Sequence, residues 1–244
     1  MTEYVYGIVA EPAAPPSEPG VGGAPVRVIE GEGAAALVSA VPAAELRMGR
    51  SEVLAHARVL EAALAQGTVL PMRFGVVMEG ADEVRQRLLT EHDQAIQEQL
   101  ERFAGKVEIN LRIVYDEDAL MRQVVAQTPE IAHLREALRG QSEDATYFER
   151  IRLGELVAQA VERRREADAH ALIETLQPQA VAISVAEPAH ERVVLNASFL
   201  VDRHGLKRFD EVLEQTAAER WELMRFKYTG PLPPHSFVEL AGGG

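Results

Sequence analysis

The sequence contains no cysteine, and this absence excludes several kinds of chemistry at once. Disulfides, thiolate zinc sites, iron–sulfur clusters and a cysteine nucleophile all require a residue that the chain does not have. Aromatic residues are also scarce, at 5% of the 244 residues. We therefore expect an interior built mainly from Ala, Val and Leu, with few ring surfaces on which sugars or bases could stack.

Positive charge is in short supply as well. The chain has 25 Lys and Arg against 38 Asp and Glu, which gives a formal net charge of −13. A field of that sign repels phosphate backbones and anionic lipid headgroups. The longest apolar stretch, residues 33–44, contains Ser39 and Pro42 and is shorter than the ~20 residues of a spanning helix. Since the first residues also lack a signal-peptide pattern, the sequence predicts a cytoplasmic protein that binds neither nucleic acid nor membrane.

Patterns typical of enzymes and metal sites are missing too. The seven histidines are dispersed, and the nearest two, His190 and His204, are fourteen positions apart. No pair has the spacing that places two imidazoles on one helix face, so scattered surface histidines are the simplest interpretation. Neither a G-x-S-x-G elbow nor a phosphate-binding G-x-x-x-x-G-K-[ST] loop occurs. The sequence therefore predicts no catalytic residue, no cofactor and no metal.

One glycine motif keeps an enzyme alternative open. Residues 31–36, GEGAAA, match the dinucleotide-binding pattern G-x-G-x-x-A and follow a predicted strand. That pattern requires a helix to begin at the glycines, whereas Pro42 comes too early for such a helix to be completed. Two strands joined as a hairpin at Gly31–Gly33 fit the residues better. A nucleotide-dependent enzyme that uses the Gly31/Gly33 loop stays as an alternative.

Apolar periodicity predicts an α+β protein with two domains and an extended C-terminal tail. From residue 106 onward the predicted order is strand, helices, strand, strand, helix, strand, a β-α-β-β-α-β-type domain with extra helices in its first crossover. Because such ferredoxin-like units often bind ligands, a ligand-sensing regulatory protein is a second alternative. The expected boundaries are an N-terminal α+β domain over 1–104, a C-terminal α+β domain over 105–230 and the tail over 231–244.

Several segments carry more detailed expectations. Ser51 is expected to cap a helix that ends near residue 66. The pattern predicts one strand over 69–78, one helix over 82–104 and an exposed loop over 11–25. Strict alternation over 106–115 predicts a strand with one buried face. The prolines that follow Gly230 favour polyproline II.

Three parts of the sequence resemble the gas vesicle protein F/L family. They are YVYGIV at 4–9, VLPMRFGVVM at 69–78, and a C-terminal part with LNASFLVDR at 195–203 and YTGPLPPHSFV at 228–238. The resemblance implies a ferredoxin-like N-terminal domain and a non-catalytic accessory or minor structural role in the assembly of gas vesicles, the protein-walled compartments that give cells buoyancy. It also implies the main gas vesicle shell protein and other gas vesicle accessory proteins as partners, and a location on the vesicle at its gas-facing surface.

The same resemblance singles out family-motif positions as partner or interdomain contacts. These positions are Tyr4, Tyr6, Gly7, Pro71, Arg73, Phe74, Gly75, Tyr228, Gly230, Pro231, Pro234 and Phe237. Family members often have Trp where Leu232 stands and Tyr where His235 stands, so aromatic contacts of the family's tail are not carried over to this chain. The resemblance leaves open whether the protein is the F-like or the L-like member.

Overall fold

The structure is a computed structural model, and it describes residues 2–10, 15–42, 49–142 and 144–239. It mixes helices with antiparallel strands, so the predicted α+β class is confirmed. The strands are β1 (Thr2–Ala10), β2 (Arg27–Glu30), β3 (Ala34–Val41), β4 (Val69–Pro71), β5 (Val77–Met78), β6 (Lys106–Tyr115), β7 (Ala182–Val185), β8 (Val193–Asp202) and β9 (Met224–Leu232). The helices are α1 (Arg50–Gln66), α2 (Ala81–Glu83), α3 (Asp93–Phe103), α4 (Glu117–Gln127), α5 (Pro129–Ala137), α6 (Tyr147–Leu176) and α7 (Leu206–Arg220).

The first sheet is built around β1. Its strands lie in the order β2-β3-β1-β4, and β5 also pairs with β1. The described pairs in this sheet are antiparallel. The register of β1 against β3 shifts between Val5 and Gly7, and β4 approaches closely at that point. A Cβ on Gly7 would stand 2.7 Å from the Leu70 carbonyl oxygen, so only glycine fits there without a backbone shift.

The second sheet has the order β7-β8-β6-β9. Numbered along the chain, both four-strand orders read second, third, first, fourth, which is the order of the split β-α-β-β-α-β unit. The alternating residues of β6 from Val107 to Tyr115 are buried, as the period of two predicts. Glu108, expected on the exposed face, is nevertheless only 3% exposed, because residues that follow β9 cover it.

The chain folds into two compact units. Unit 1 consists of Met1–Ile109, Leu200–Arg203 and Gly230–Gly244, and unit 2 of Asn110–Phe199 and His204–Thr229. The largest fully buried side chains in unit 1 include Tyr4, Tyr6 and Phe103, and those in unit 2 include Phe199 and Phe209. Some aromatic residues thus lie in the two interiors, whereas Tyr147, Phe148 and Trp221 are at least 60% exposed. The predicted domain boundaries at 104/105 and 230/231 stay a prediction.

Two of the local expectations in the N-terminal half are wrong. Helix α1 begins at Arg50 with Gly49 as its N-cap, and the Ser51 hydroxyl donates to the Glu52 carboxylate instead of accepting an amide of the helix. The loop expected to be exposed is described from residue 15, and there Val21 is 1% exposed. The Val21 amide donates to the Tyr6 hydroxyl over 2.7 Å, so this loop packs onto the first sheet. Residues 11–14 lie outside the described residues.

The expected strand over 69–78 and the expected helix over 82–104 are both divided. Strands β4 and β5 pair with different parts of β1, and the chain between them turns at Gly75, whose φ is +95°. Helix α2 continues into a π-helical turn over Val84–Thr90, and α3 starts afresh at Asp93. Single-sequence periodicity does not detect either break because each region keeps an apolar pattern throughout.

Candidate interaction sites

The N-terminal motif positions meet in one cluster in unit 1. The rings of Tyr4 and Tyr6 lie 4.9 Å apart, and the Phe74 ring lies 6.1 Å from that of Tyr4. The Gly75 amide donates to the Tyr4 hydroxyl over 3.0 Å, so the segment between β4 and β5 forms an arch over the Tyr4 ring. Burial raises the pKa of Tyr4 to about 12. This hydroxyl is therefore a neutral hydrogen-bonding group near neutral pH.

A buried histidine completes this cluster. The His56 ring lies 5.6–5.7 Å from the rings of Tyr4, Tyr6 and Phe74, and its Nδ1 atom is 2.9 Å from the Tyr4 hydroxyl oxygen. Burial, helped by the nearby His235, lowers the pKa of His56 to about 4, although the Met72 backbone opposes the shift. In the neutral ring, Nδ1 accepts a hydrogen bond from the Tyr4 hydroxyl. The Nε2 atom has no hydrogen-bond partner of good geometry among the described residues.

The surface interpretation of the histidines is thus wrong for His56. It lies on α1 beside Val59, Leu60 and Ala63, all of which are buried. Val53 on the same helix is 46% exposed. The sequence signal for the buried face of α1 was that His56 lies at helical spacing from apolar residues.

The segment after β9 binds the rest of unit 1 through a buried carboxylate. The Ser236 amide donates to Glu108 Oε2 over 2.7 Å, and the Ser236 hydroxyl donates to Glu108 Oε1 over 2.7 Å. Farther on, the side chain of Gln99 bonds the backbone of Glu239 in both directions, each over 2.9 Å. The tail is therefore held at Ser236 and again at Glu239, and Glu108 is satisfied by tail atoms.

The tail does not form the expected polyproline II helix. Strand β9 continues through Pro231 to Leu232, beyond residue 231, where the extended tail was expected to begin. The amides of Phe237 and Val238 then donate to the Pro234 carbonyl, each over 3.1 Å, which makes a compact turn. Polyproline II has no internal hydrogen bonds of this kind, and the turn is what aims Ser236 at Glu108.

A small cavity separates the arch from the tail. Its volume is about 200 Å³, and it is lined by Pro71, Met72, Arg73, Val76, His235, Val238 and Glu239. Burial lowers the pKa of His235, and the Glu108 charge opposes this shift. The structure thus brings Pro71 and Arg73, from the motif at 69–78, around one site in unit 1 with His235 and Val238, from the motif at 228–238. Whether they contact a partner stays a prediction.

Tyr228 belongs to unit 2 and is not one of the residues that line this cavity. Burial, with Asp210 as a second cause, raises its pKa to about 12, and the residue remains 38% exposed. Gly230 has a different role. Its φ is +152°, and a Cβ there would stand 2.7 Å from Ile109 Cδ1 and 3.0 Å from the Glu108 carbonyl oxygen. The close approach of β9 to β6 therefore requires glycine at this position.

The glycine loop is a hairpin turn. Strands β2 and β3 are antiparallel, with Glu30 opposite Ala35, and the Gly31 amide donates to the Ala34 carbonyl over 2.9 Å. No helix begins at the loop, so the amide array that would bind a pyrophosphate is not formed. The structure contradicts this nucleotide-binding alternative. Among the described residues, no group of three or more His, Asp and Glu could hold a metal ion.

Unit 2 exposes apolar side chains at one edge of the second sheet. β7 is an edge strand, and Val181, which precedes it, and Val185, at its end, are each 54% exposed. A cavity of about 690 Å³ lies along this strand and is also lined by Ile173, Pro178 and Ile183. Edge strands with exposed apolar residues are sites where another strand can be added.

These features define an α+β protein with two antiparallel sheets, a tail bound to a buried carboxylate and an apolar edge strand. Within the described ranges, no helix combines the length and apolar character needed to cross a membrane. The sequence model of the family described as gas vesicle synthesis protein GvpL/GvpF matches residues 3–239. The chain therefore belongs to the GvpL/GvpF family of gas vesicle synthesis proteins, and the resemblance found in the sequence is confirmed.

Individual proteins that are similar to this chain carry the names of the same family. Gas vesicle protein F of Streptomyces sp. (strain CB03234) is 37% identical over 243 residues, which cover 98% of this chain and 100% of the relative. Gas vesicle protein F of Microcystis aeruginosa (strain PCC 7806) is 24% identical over 97% of this chain and 98% of the relative. The crystal structure of GvpF from Anabaena sp. PCC7120 superposes with a TM-score of 0.86 at 24% identity, over 98% of this chain and 99% of the other, which establishes the shared fold.

Proposed function

We propose that this protein is a non-catalytic accessory and minor structural protein of gas vesicle assembly that binds the main gas vesicle shell protein. Family membership supports a role in gas vesicle assembly, and the relatives carry the names of gas vesicle proteins rather than of enzymes. The chain is 37% identical to the F protein of one Streptomyces strain and 29% identical to the L protein of the same strain. This difference favours an F-like member.

The exposed edge strand β7 is the observation that carries the proposal. A shell subunit must keep apolar surface from aggregating until it enters the wall, and an added strand covers both its backbone groups and its side chains. β7 is the terminal strand of its sheet, Val181 precedes it and Val185 ends it, and each of these valines is 54% exposed. The acidic remainder of the chain, with a net charge of −13, keeps such a complex dispersed.

A co-expression pull-down tests this function. The tagged chain should retain the main shell protein, and Val181→Lys/Val185→Lys should reduce the retained amount about tenfold, because lysine at an edge opposes strand addition. Val53→Lys is the matched control, since Val53 is a similarly exposed valine on α1 in unit 1. Absence of association, with or without the other gas vesicle accessory proteins, would exclude shell binding.

The same experiment extends to location and to the other partners. We place the protein in the cytoplasm before assembly and at the gas-facing surface of the finished vesicle, with the accessory proteins retained in the pull-down as further partners. In isolated vesicles, a protease should reach a tag on the chain only after the vesicles have been collapsed by pressure. Cleavage of the tag on intact vesicles would contradict the gas-facing position.

A further inference from the structure

A groove on unit 2 combines an apolar floor with an arginine rim. It lies between α4, α5 and α6 and has a volume of about 600 Å³. Its floor is formed by Val125, Ala132, Leu138 and Leu153, and its rim by Arg135, Arg139, Arg150 and Glu136. Three arginines against one glutamate give a locally positive site on a chain whose net charge is −13.

The rim arginines have unused hydrogen-bonding capacity. Arg135 makes no hydrogen bond or ion pair with another described residue, and Arg139 reaches only the exposed Glu136, over 3.6 Å. Arg150 uses Nε to donate to the Thr146 hydroxyl over 3.0 Å, which fixes the guanidinium, and no described residue bonds its two terminal nitrogens. Each guanidinium can therefore receive a carboxylate, and exposed pairs such as Arg139–Glu136 cost little to exchange.

The positions of these residues match a helical ligand. Ala132, Arg135 and Arg139 follow each other at spacings of three and four along α5 and the turn after it, and Arg150 and Leu153 are three apart on α6. Two helix faces thus supply apolar residues at the bottom and cations at the top of one concave strip. A helix whose apolar ridge is flanked by carboxylates would fill this strip and pair with its rim.

Other partner classes fit the groove less well. A nucleic acid or an anionic membrane would approach a chain with a net charge of −13, and the lining contains no aromatic ring for base stacking. A recessed apolar floor also favours a narrow convex ligand over a flat surface. We propose that this groove binds an acidic amphipathic helix of a partner protein. It is distinct from the β7 edge, so the proposal does not depend on shell binding.

Two synthetic peptides of about six helical turns test the proposal with the full chain. Both carry leucines along one face, and one has glutamates on the flanks where the other has lysines. The glutamate peptide should bind, more weakly at higher salt, and Arg135→Glu/Arg139→Glu should weaken it at least tenfold and favour the lysine peptide instead. Arg163→Glu, on an exposed part of α6 outside the groove, is the matched control and should change nothing.

Each contrary result would overturn the proposal. Such results are equal binding of both peptides, no binding of the glutamate peptide, and unchanged binding to the double variant. A self-association of the chain, or binding to anionic vesicles, that the double variant abolishes would assign the groove to those occupants instead. Arg135→Gln/Arg139→Gln repeats the test without introducing repulsive charge, and its thermal melt verifies that the fold is retained.

Discussion

His56 and Glu108 are two polar residues buried in unit 1 by different means. His56 is kept neutral because its surroundings exclude water, and the Tyr4 hydroxyl provides the hydrogen bond that a neutral ring needs. Glu108 instead meets two donors from Ser236, which arrive from a segment far away in the sequence. The histidine therefore depends on packing within the first sheet and its helix, and the carboxylate depends on the tail.

The neutral state of His56 predicts a loss of stability in mild acid. Its folded-state pKa is about 4 and its ordinary value is 6.5, so the unfolded chain takes up the proton first as the pH falls. The stability that the neutral His56 contributes is fully present above pH 6.5, declines between pH 6.5 and 4, and is lost below pH 4. Between pH 7.5 and 6.0 the free energy of unfolding should fall by about 0.8 kcal/mol from this residue.

Urea unfolding of His56→Gln at the two pH values checks this expectation. Both values lie above the sequence pI of about 5.1, so the chain stays soluble. The variant should show a smaller pH dependence than the natural chain, although His235, whose pKa is also lowered by burial, retains part of the effect. If the free energy of unfolding changes equally with pH in the two proteins, His56 is protonated in the folded state at pH 6.

At the scale of single elements, two glycines differ in the space around the position that a Cβ atom would take. Gly230 lies on β9 where a Cβ would overlap Ile109 and the Glu108 carbonyl, whereas Gly154 on α6 has no atom within 4 Å of the Cβ position. Gly230→Ala should therefore destabilise the protein by about 1–3 kcal/mol. Gly154→Ala, the contrasting control in a helix, should stabilise it by about 0.5–1 kcal/mol. Thermal unfolding of the two variants should give shifts of opposite sign.

The regular elements were predictable because their own side chains determine them. Apolar residues recur at every second position of β6 from Val107 to Tyr115. The Asp116 carboxylate caps α4 by accepting a hydrogen bond from the Ala119 amide over 3.1 Å, as its position suggests. The arch between β4 and β5 was not predictable, since it exists only because β1 pairs with both strands and Tyr4 binds its apex. Burial of Glu108 likewise depends on a partner 128 residues away.

At the scale of the whole molecule, one strand order occurs twice. Both sheets place their strands in the second, third, first, fourth order. Between their first two strands, the described residues of the first sheet form a 3-10 turn over Val21–Gly23, whereas the second sheet has α4, α5 and α6. The insertion of three helices at that connection gives unit 2 its groove. The candidate sites thus differ because the crossovers differ, while the sheets share one plan.

Removal of the tail should measure its contribution to the fold. Ending the chain after Gly230 removes both Ser236 bonds to Glu108 and shortens β9, so we expect a loss of about 2 kcal/mol and a melting temperature lower by roughly 4–8 °C. Ser236→Ala removes the hydroxyl alone and should cost about 1 kcal/mol. Differential scanning calorimetry compares the three chains, and an unchanged melting transition in the shortened chain would show that the tail adds nothing to stability.

The tail also determines when unit 1 can be completed during synthesis. Unit 2 is assembled from residues that end at Thr229, whereas unit 1 contains both the first strand and Gly230–Gly244. Multidomain chains usually finish their N-terminal portion first on the ribosome. Here Glu108 receives its Ser236 donors only after the chain has been synthesised as far as Ser236. Thr229, the last residue of unit 2, is therefore synthesised before Ser236, so unit 2 has all of its residues before the bonds that close unit 1 can form.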